Sequence, residues 1–192
     1  MQMLNPTHPC KKLQSKRINL QKLQLSFAKF IFESIDNDRS RLSEYLPWVN
    51  YIQSLDDEKK YLADAMKDWD ECRIFDFAIF LNETDHYLGN IGIHHISWKN
   101  KSCEIGYWIL GEFEGNGFIS EAVRVIENEL FALGFNRIQI RCNSKNKKSA
   151  NVPSRLGYVL EGTLREDSIE NGAFRDTYIF GKLKTEWRKA QS

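Results

Sequence analysis

The chain has 192 residues, with 42% hydrophobic, 12% aromatic and 28% charged, which fits one packed domain and excludes a disordered or fibrous chain. Lys plus Arg total 27 against 26 Asp plus Glu, a net charge of +1, so no global field holds it on nucleic acid or an anionic membrane. No apolar run approaches the ~20 residues that span a bilayer, and no apolar segment marks a secretory signal. In chain order, residues 1–16 read as a flexible tail, and a short strand is expected around residues 17–21. An α-rich region follows from about Ser26 to Cys72, broken at Leu46-Pro47-Trp48 because Pro disfavours helix at the residue before it. Asp56-Asp57-Glu58 places acidic residues at a helix start, and Tyr61, Leu62, Ala65, Met66 and Trp69 supply its buried face.

From Arg73 the period changes. Residues 74–81, 87–97 and 103–110 read as three strands, the first two antiparallel across the Asn82–Asp85 turn. A Gly-containing loop, residues 111–117, leads into a helix over 119–133, followed by a strand over 137–142 and a short polar helix over 145–156. Residues 158–165 and 177–183 form a last hairpin joined through Asn171-Gly172. Antiparallel strands followed by a strand-helix-strand unit predict a mixed α/β sheet in one domain, residues 17–187, with 188–192 as a C-terminal tail.

Cys10, Cys72, Cys103 and Cys142 are scattered without a CxxC pair, so they read as free thiols in a reducing cytoplasm rather than as a zinc site or disulfide framework. His94 and His95 are adjacent; on a regular strand they alternate faces, so no metal site is expected from them.

The segment Glu112-Phe113-Glu114-Gly115-Asn116-Gly117-Phe118 lies between a strand and a helix. Two glycines one residue apart let the backbone approach a ligand, and the helix start offers N–H groups and the positive end of its dipole to a pyrophosphate. It is neither a Walker loop nor a Rossmann fingerprint, because Ser120 stands where a third glycine belongs. Around it stand Glu104-Ile105-Gly106-Tyr107-Trp108, Leu133-Gly134-Phe135-Asn136-Arg137, Asn146-Lys147-Lys148-Ser149, Arg155-Leu156-Gly157-Tyr158 and Glu161-Gly162-Thr163-Leu164-Arg165. This series resembles the GNAT superfamily of acyl-CoA-dependent N-acetyltransferases. More narrowly it resembles the RimJ/RimL branch, which acetylates the N-termini of ribosomal proteins.

That resemblance implies a mostly antiparallel twisted sheet, splayed in the middle and flanked by helices, with acetyl-CoA in the splay and no metal. It implies that Glu114, Gly115, Asn116, Gly117 and Phe118 bind the pyrophosphate, mainly through backbone N–H groups. Tyr107, Trp108 and Ile109 would grip pantetheine through their backbone, although ordinary strand composition also explains them. The superfamily begins this loop with Gln or Arg where this chain has Glu112, which is expected to face solvent. The acid of many relatives is a Tyr seven residues after Asn146; here that position is Pro153, which donates no proton. The branch points instead to Ser149 as proton donor to the thiolate and to Glu161 as base, with Glu104 as second candidate. A helix cap explains Asn146 and Ser149 equally well, and a solvent-facing strand position explains Glu161. Asn146 and Lys148 are expected at the cofactor; Lys145, Lys147 and Lys148 read either as a solvated face or as a clamp on the 3′-phosphate. The implied reaction is direct attack in a ternary complex by a primary amine, with an α-amino group of a ribosomal protein as the leading acceptor. Two rivals stand beside it: a polyamine, amino acid or antibiotic acetyltransferase, and a non-catalytic acyl-CoA-binding protein. The resemblance also implies a homodimer and a cytoplasmic enzyme, with neither nucleic acid nor membrane as partner.

Overall fold

The computed structural model describes residues 4–170 and 172–189. Eight strands form one sheet: β1 (Lys12–Gln14), β2 (Ile18–Lys22), β3 (Phe75–Leu81), β4 (Tyr87–Ser97), β5 (Ser102–Ile109), β6 (Arg137–Asn143), β7 (Val159–Glu170) and β8 (Ala173–Leu183). Their order is β1-β2-β3-β4-β5-β6-β8-β7, and every neighbouring pair is antiparallel except β5 with β6. The helices are α1 (Ala28–Asn37), α2 (Arg39–Leu42), α3 (Leu55–Asp70), α4 (Phe118–Leu133), α5 (Lys147–Arg155) and α6 (Lys184–Lys189).

Strand alternation explains the layering. Phe77, Ile79, Ile91 and Ile105 pack in one cluster with Ala122, Ile126 and Leu130 of α4. The intervening Ala78 and Phe80 pack in a second cluster with Ile31 and Ile35 of α1 and Leu62 of α3. Ser54 caps α3, its side chain accepting from the Asp57 N–H, and Asp56, Asp57 and Glu58 fill the first turn as the sequence suggested. Helix α4 begins at Gly117 and ends at Gly134, both in the left-handed region that a side chain disfavours.

The sequence places the terminal segments outside the folded unit; the structure draws both partly in. Lys12–Gln14 pairs with β2, and the Cys10 N–H donates to Glu129 at 2.7 Å. At the other end Arg188 and Lys189 continue α6. Three polar-flanked residues in β1 carry too little alternation to announce a strand. The last hairpin is longer than expected, pairing out to Glu170 and Ala173; Gly172 has φ +74°, and Asn171 lies outside the described residues.

The sheet is interrupted in one place. β5 and β6 pair only at Ser102–Arg137, Cys103–Ile138 and Glu104–Gln139, although β5 runs on to Ile109 and β6 to Asn143. Beyond Glu104 the two strands diverge, leaving a V-shaped gap floored by their backbones.

Candidate active site

The gap is bordered by the three features that the sequence singled out. Along one side runs Tyr107-Trp108-Ile109, each residue paired to β4 but none to β6. Above it stands the loop before α4, with Gly115 at φ +77° and Gly117 at φ +79°. A Cβ on Gly115 would meet no atom within 4 Å, so the backbone there borders open space. The N–H groups that open α4 border the same space, and together they suit a pyrophosphate. Glu112 is exposed, as its carboxylate requires.

On the far side is α5. Asn146 caps it, its Oδ1 accepting from the Ser149 N–H at 3.0 Å, so Asn146 is a helix cap, while Ser149 lies in the first turn and caps nothing. Pro153 lies inside this helix and has no N–H to offer the carbonyl four residues back. That carbonyl belongs to Ser149, and the Tyr107 hydroxyl donates to it at 3.0 Å. One side chain of β5 thus replaces the missing helical bond and ties α5 across the gap. Burial pushes the Cys142 thiol up to about 11, and a hydrogen bond with the Ser149 side chain opposes the rise. The Ser149 hydroxyl therefore already lies beside a sulfur.

The charged residues at the mouth are tightly paired. Glu114 takes ion pairs from both Arg41 of α2, at 2.6 Å, and Lys148 of α5. Arg41 also binds Asp38 and donates to the Ile109 carbonyl at 2.7 Å. Arg17 holds Glu121, donates to the Asn116 carbonyl at 3.0 Å and stacks 4.6 Å from the Phe118 ring centroid. Arg17 and Arg41 were not found by sequence reading. They lie about a hundred and about seventy residues from their partners, and no local pattern signals such a contact.

The closed end of the gap carries a polar row in register: His94 faces Glu104, Glu104 faces Gln139, and Gln139 faces Gly181. The Glu161 side chain lies over Gly181 and is held by both guanidinium nitrogens of Arg137. Arg137 donates to Gln139 at 3.1 Å, and Gln139 donates to Glu104 at 3.4 Å. Glu104 is only 8% exposed. The Arg137 guanidinium holds the Glu161 carboxyl below its ordinary range. The sequence gives Arg137 no role and names Glu161 as base, a task that a raised pKa favours; the direction here is the reverse.

One sequence expectation fails outright. His94 and His95 do not point to opposite faces, because His95 has φ +49° at a bulge in β4. Their Nδ1 atoms lie 3.1 Å apart, and His95 Nδ1 is 3.2 Å from Glu104.

Comparison with known proteins agrees with this geometry. The family model described as an acetyltransferase (GNAT) domain matches residues 17–159. The chain is 30% identical over 176 residues to the putative ribosomal N-acetyltransferase YdaF of Bacillus subtilis, covering 90% of this chain and 94% of that protein. It is 27% identical to the ribosomal-protein-serine acetyltransferase of Escherichia coli, covering 88% and 94%. Among solved structures, the microcin C7 self-immunity acetyltransferase MccE in complex with acetyl-CoA and AMP superposes with a TM-score of 0.84 at 25% identity, covering 88% of this chain and 93% of that one. With a splayed sheet and a glycine loop that fit the cosubstrate, the chain belongs to the GNAT acetyltransferase family and is an acetyl-CoA-dependent N-acetyltransferase of the RimJ/RimL-like branch.

Proposed function

We propose that the acceptor is the N-terminal α-amino group of a protein, with ribosomal proteins the leading class, and that it attacks the thioester directly in a ternary complex. The observation that carries this reading is the gap between β5 and β6, bordered by the glycine loop and closed at the polar row. The names of the two curated relatives support the ribosomal class. Lengthwise access suits an extended N-terminus, whose first amine reaches the apex while its second and later residues lie outside.

In this scheme backbone N–H groups of Gly115 to Phe118 hold the pyrophosphate, and the unpaired edge of Tyr107 to Ile109 aligns the pantetheine arm. Bound acetyl-CoA supplies the thioester. The amine nitrogen forms the new C–N bond, the C–S bond breaks, and the amine gives up a proton. Ser149 donates a hydrogen bond to the departing sulfur. Two carboxylates compete for the amine's proton. Glu161 is occupied by Arg137, which makes it the weaker base. Glu104 stands next to the gap, ordered by Gln139, and is the base in this scheme, with Glu161 orienting Arg137 and Gln139.

Thiol release from acetyl-CoA, measured with a peptide bearing a free N-terminal serine, tests the reading. Glu104→Gln is expected to lower kcat by ~10²–10⁴ while leaving the thermal shift by acetyl-CoA in place. Glu161→Gln is expected to cost less. The reverse order returns the base to Glu161, and spermidine turned over faster than the peptide removes the protein N-terminus as the acceptor.

A further inference from the structure

The His94, His95 and Glu104 cluster has a geometry that proton transfer leaves unexplained. Two imidazoles and one carboxylate converge: His94 Nδ1 lies 3.1 Å from His95 Nδ1, His95 Nδ1 lies 3.2 Å from Glu104 Oε2, and His94 Nδ1 lies 4.0 Å from Glu104 Oε1. With the two Nδ1 atoms 3.1 Å apart, protons on both oppose each other, and a proton on only one leaves a nitrogen lone pair facing the carboxylate. Ligands at 2.0–2.1 Å around a tetrahedral ion stand about 3.3 Å apart, close to the 3.1 and 3.2 Å spacings here and shorter than the 4.0 Å one.

The surroundings favour the same arrangement. The left-handed backbone at His95, uncommon for a residue other than glycine, is what turns two successive imidazoles to one side. Gly106 provides the space that the His94 ring fills: a Cβ there would lie 2.6 Å from His94 Nε2. Gln139 orients the carboxylate from behind, as outer partners of ligands do. His95 is largely exposed, leaving a fourth position open to solvent.

We propose that His94 Nδ1, His95 Nδ1 and a Glu104 oxygen bind one divalent transition-metal ion of the zinc class, and that the bound ion blocks acetyl transfer by occupying Glu104. The three ligands are two imidazole nitrogens and one carboxylate oxygen, a set that takes zinc, cobalt or nickel rather than magnesium or calcium. The inhibitory half rests on the proposed acetyl transfer with Glu104 as base; the binding half does not. The acetyltransferase needs no metal for its chemistry, so the ion acts as a brake on the acceptor side of the site.

The test uses the untagged full chain. Calorimetric titration with Zn²⁺ is expected to show one saturable site. His95→Gly suits the left-handed backbone and His94→Ala removes a ligand; each is expected to weaken binding by at least about 100-fold, and Gln139→Ala by about tenfold. Thermal melts confirm that each variant is folded before titration. Co²⁺ in place of zinc is expected to give visible d–d bands without the near-ultraviolet band of a thiolate ligand. No saturable site, binding unchanged in folded His94→Ala and His95→Gly, or a thiolate band that places the ion on a cysteine overturns the site. For the second half, Zn²⁺ is expected to inhibit the wild type competitively with the peptide and to leave His95→Gly, measured against its own metal-free rate, uninhibited. Inhibition relieved by acetyl-CoA rather than by peptide, or equal inhibition of His95→Gly, overturns the brake. A wild type that releases no thiol with any amine breaks the acetyl-transfer reading and the brake with it, while the titration still decides the metal site.

Discussion

The two halves of the sheet are held together in different ways. From β2 to β5 the strands pair along their length, broken only by bulges at Ile79–Phe80 and beyond His94, and the centre is apolar on both faces: Phe77, Ile79, Ile91 and Ile105 on one, Ala78 and Phe80 on the other. From β5 to β6 there are three rungs and then none, and the connection passes to single polar contacts: Tyr107 to the Ser149 carbonyl, Glu114 to Lys148, and Lys182 to Glu127. Apolar burial is non-directional and summed over many residues, so the first half tolerates small changes. A polar contact is directional and counts one at a time. The cosubstrate needs the gap, so the second half gives up ladder bonds where the first keeps them.

The contrast breaks first at Lys182. Its ammonium on β8 meets Glu127 of α4 at 2.5 Å and the Leu156 carbonyl at 2.8 Å, with both side chains almost fully buried. Lys182→Met leaves the Glu127 charge without its partner, and urea unfolding is expected to show a loss of about 3–5 kcal/mol. Adding Glu127→Met should return most of that loss. If the single variant is as stable as the wild type, the second half does not rest on this pair.

Glu58 tests the apolar half from inside. It is 1% exposed on α3, its Oε1 has no partner among the described residues, and burial pushes its carboxyl up to about 7. The native state therefore favours the protonated form. This group leaves stability untouched below the ordinary carboxylate range and lowers it as pH rises from about 4.5 to about 7, where the unfolded chain is ionised and the native one is not. At pH 8 Glu58→Gln is expected to be more stable than the wild type by up to about 3 kcal/mol, a gain that vanishes near pH 4. Equal gains at both pH values would put the effect elsewhere.

The smallest effect sharpens the comparison most. Tyr107→Phe keeps the packing and strands the Ser149 carbonyl that Pro153 cannot serve. The expected cost is about 1–3 kcal/mol in urea unfolding, together with weaker acetyl-CoA binding, because α5 is no longer fixed across the gap. Pro153→Ala in the Tyr107→Phe background supplies a helical N–H and should restore stability. A double variant no better than Tyr107→Phe would show that the hydroxyl has another task.

The sequence was most legible where burial follows a period. The strand over residues 87–97 and the helix before Gly134 stand where alternation and helical spacing put them, within a residue. The glycine loop was legible because left-handed backbone demands glycine at Gly115 and Gly117. What stayed hidden depends on contacts far apart in the chain. Nothing near Arg41 announces Glu114 or the Ile109 carbonyl, and nothing near Glu161 announces Arg137. The convergence of His94 and His95 was misread because a strand pattern carries no sign of a bulge.

Three rungs at the middle of an eight-stranded sheet also make a fault line under load. A force applied across the strands must break more rungs to part any neighbouring pair from β2 to β5 than the three that hold the β5–β6 seam. The two pieces then remain joined through α4, whose Ile126 and Leu130 stay packed on β-strand residues from both sides, Ile105 and Ile138. Pulled in this way the protein should open at its own binding cleft before it unfolds, and acetyl-CoA bridging the cleft should raise the force at which it gives.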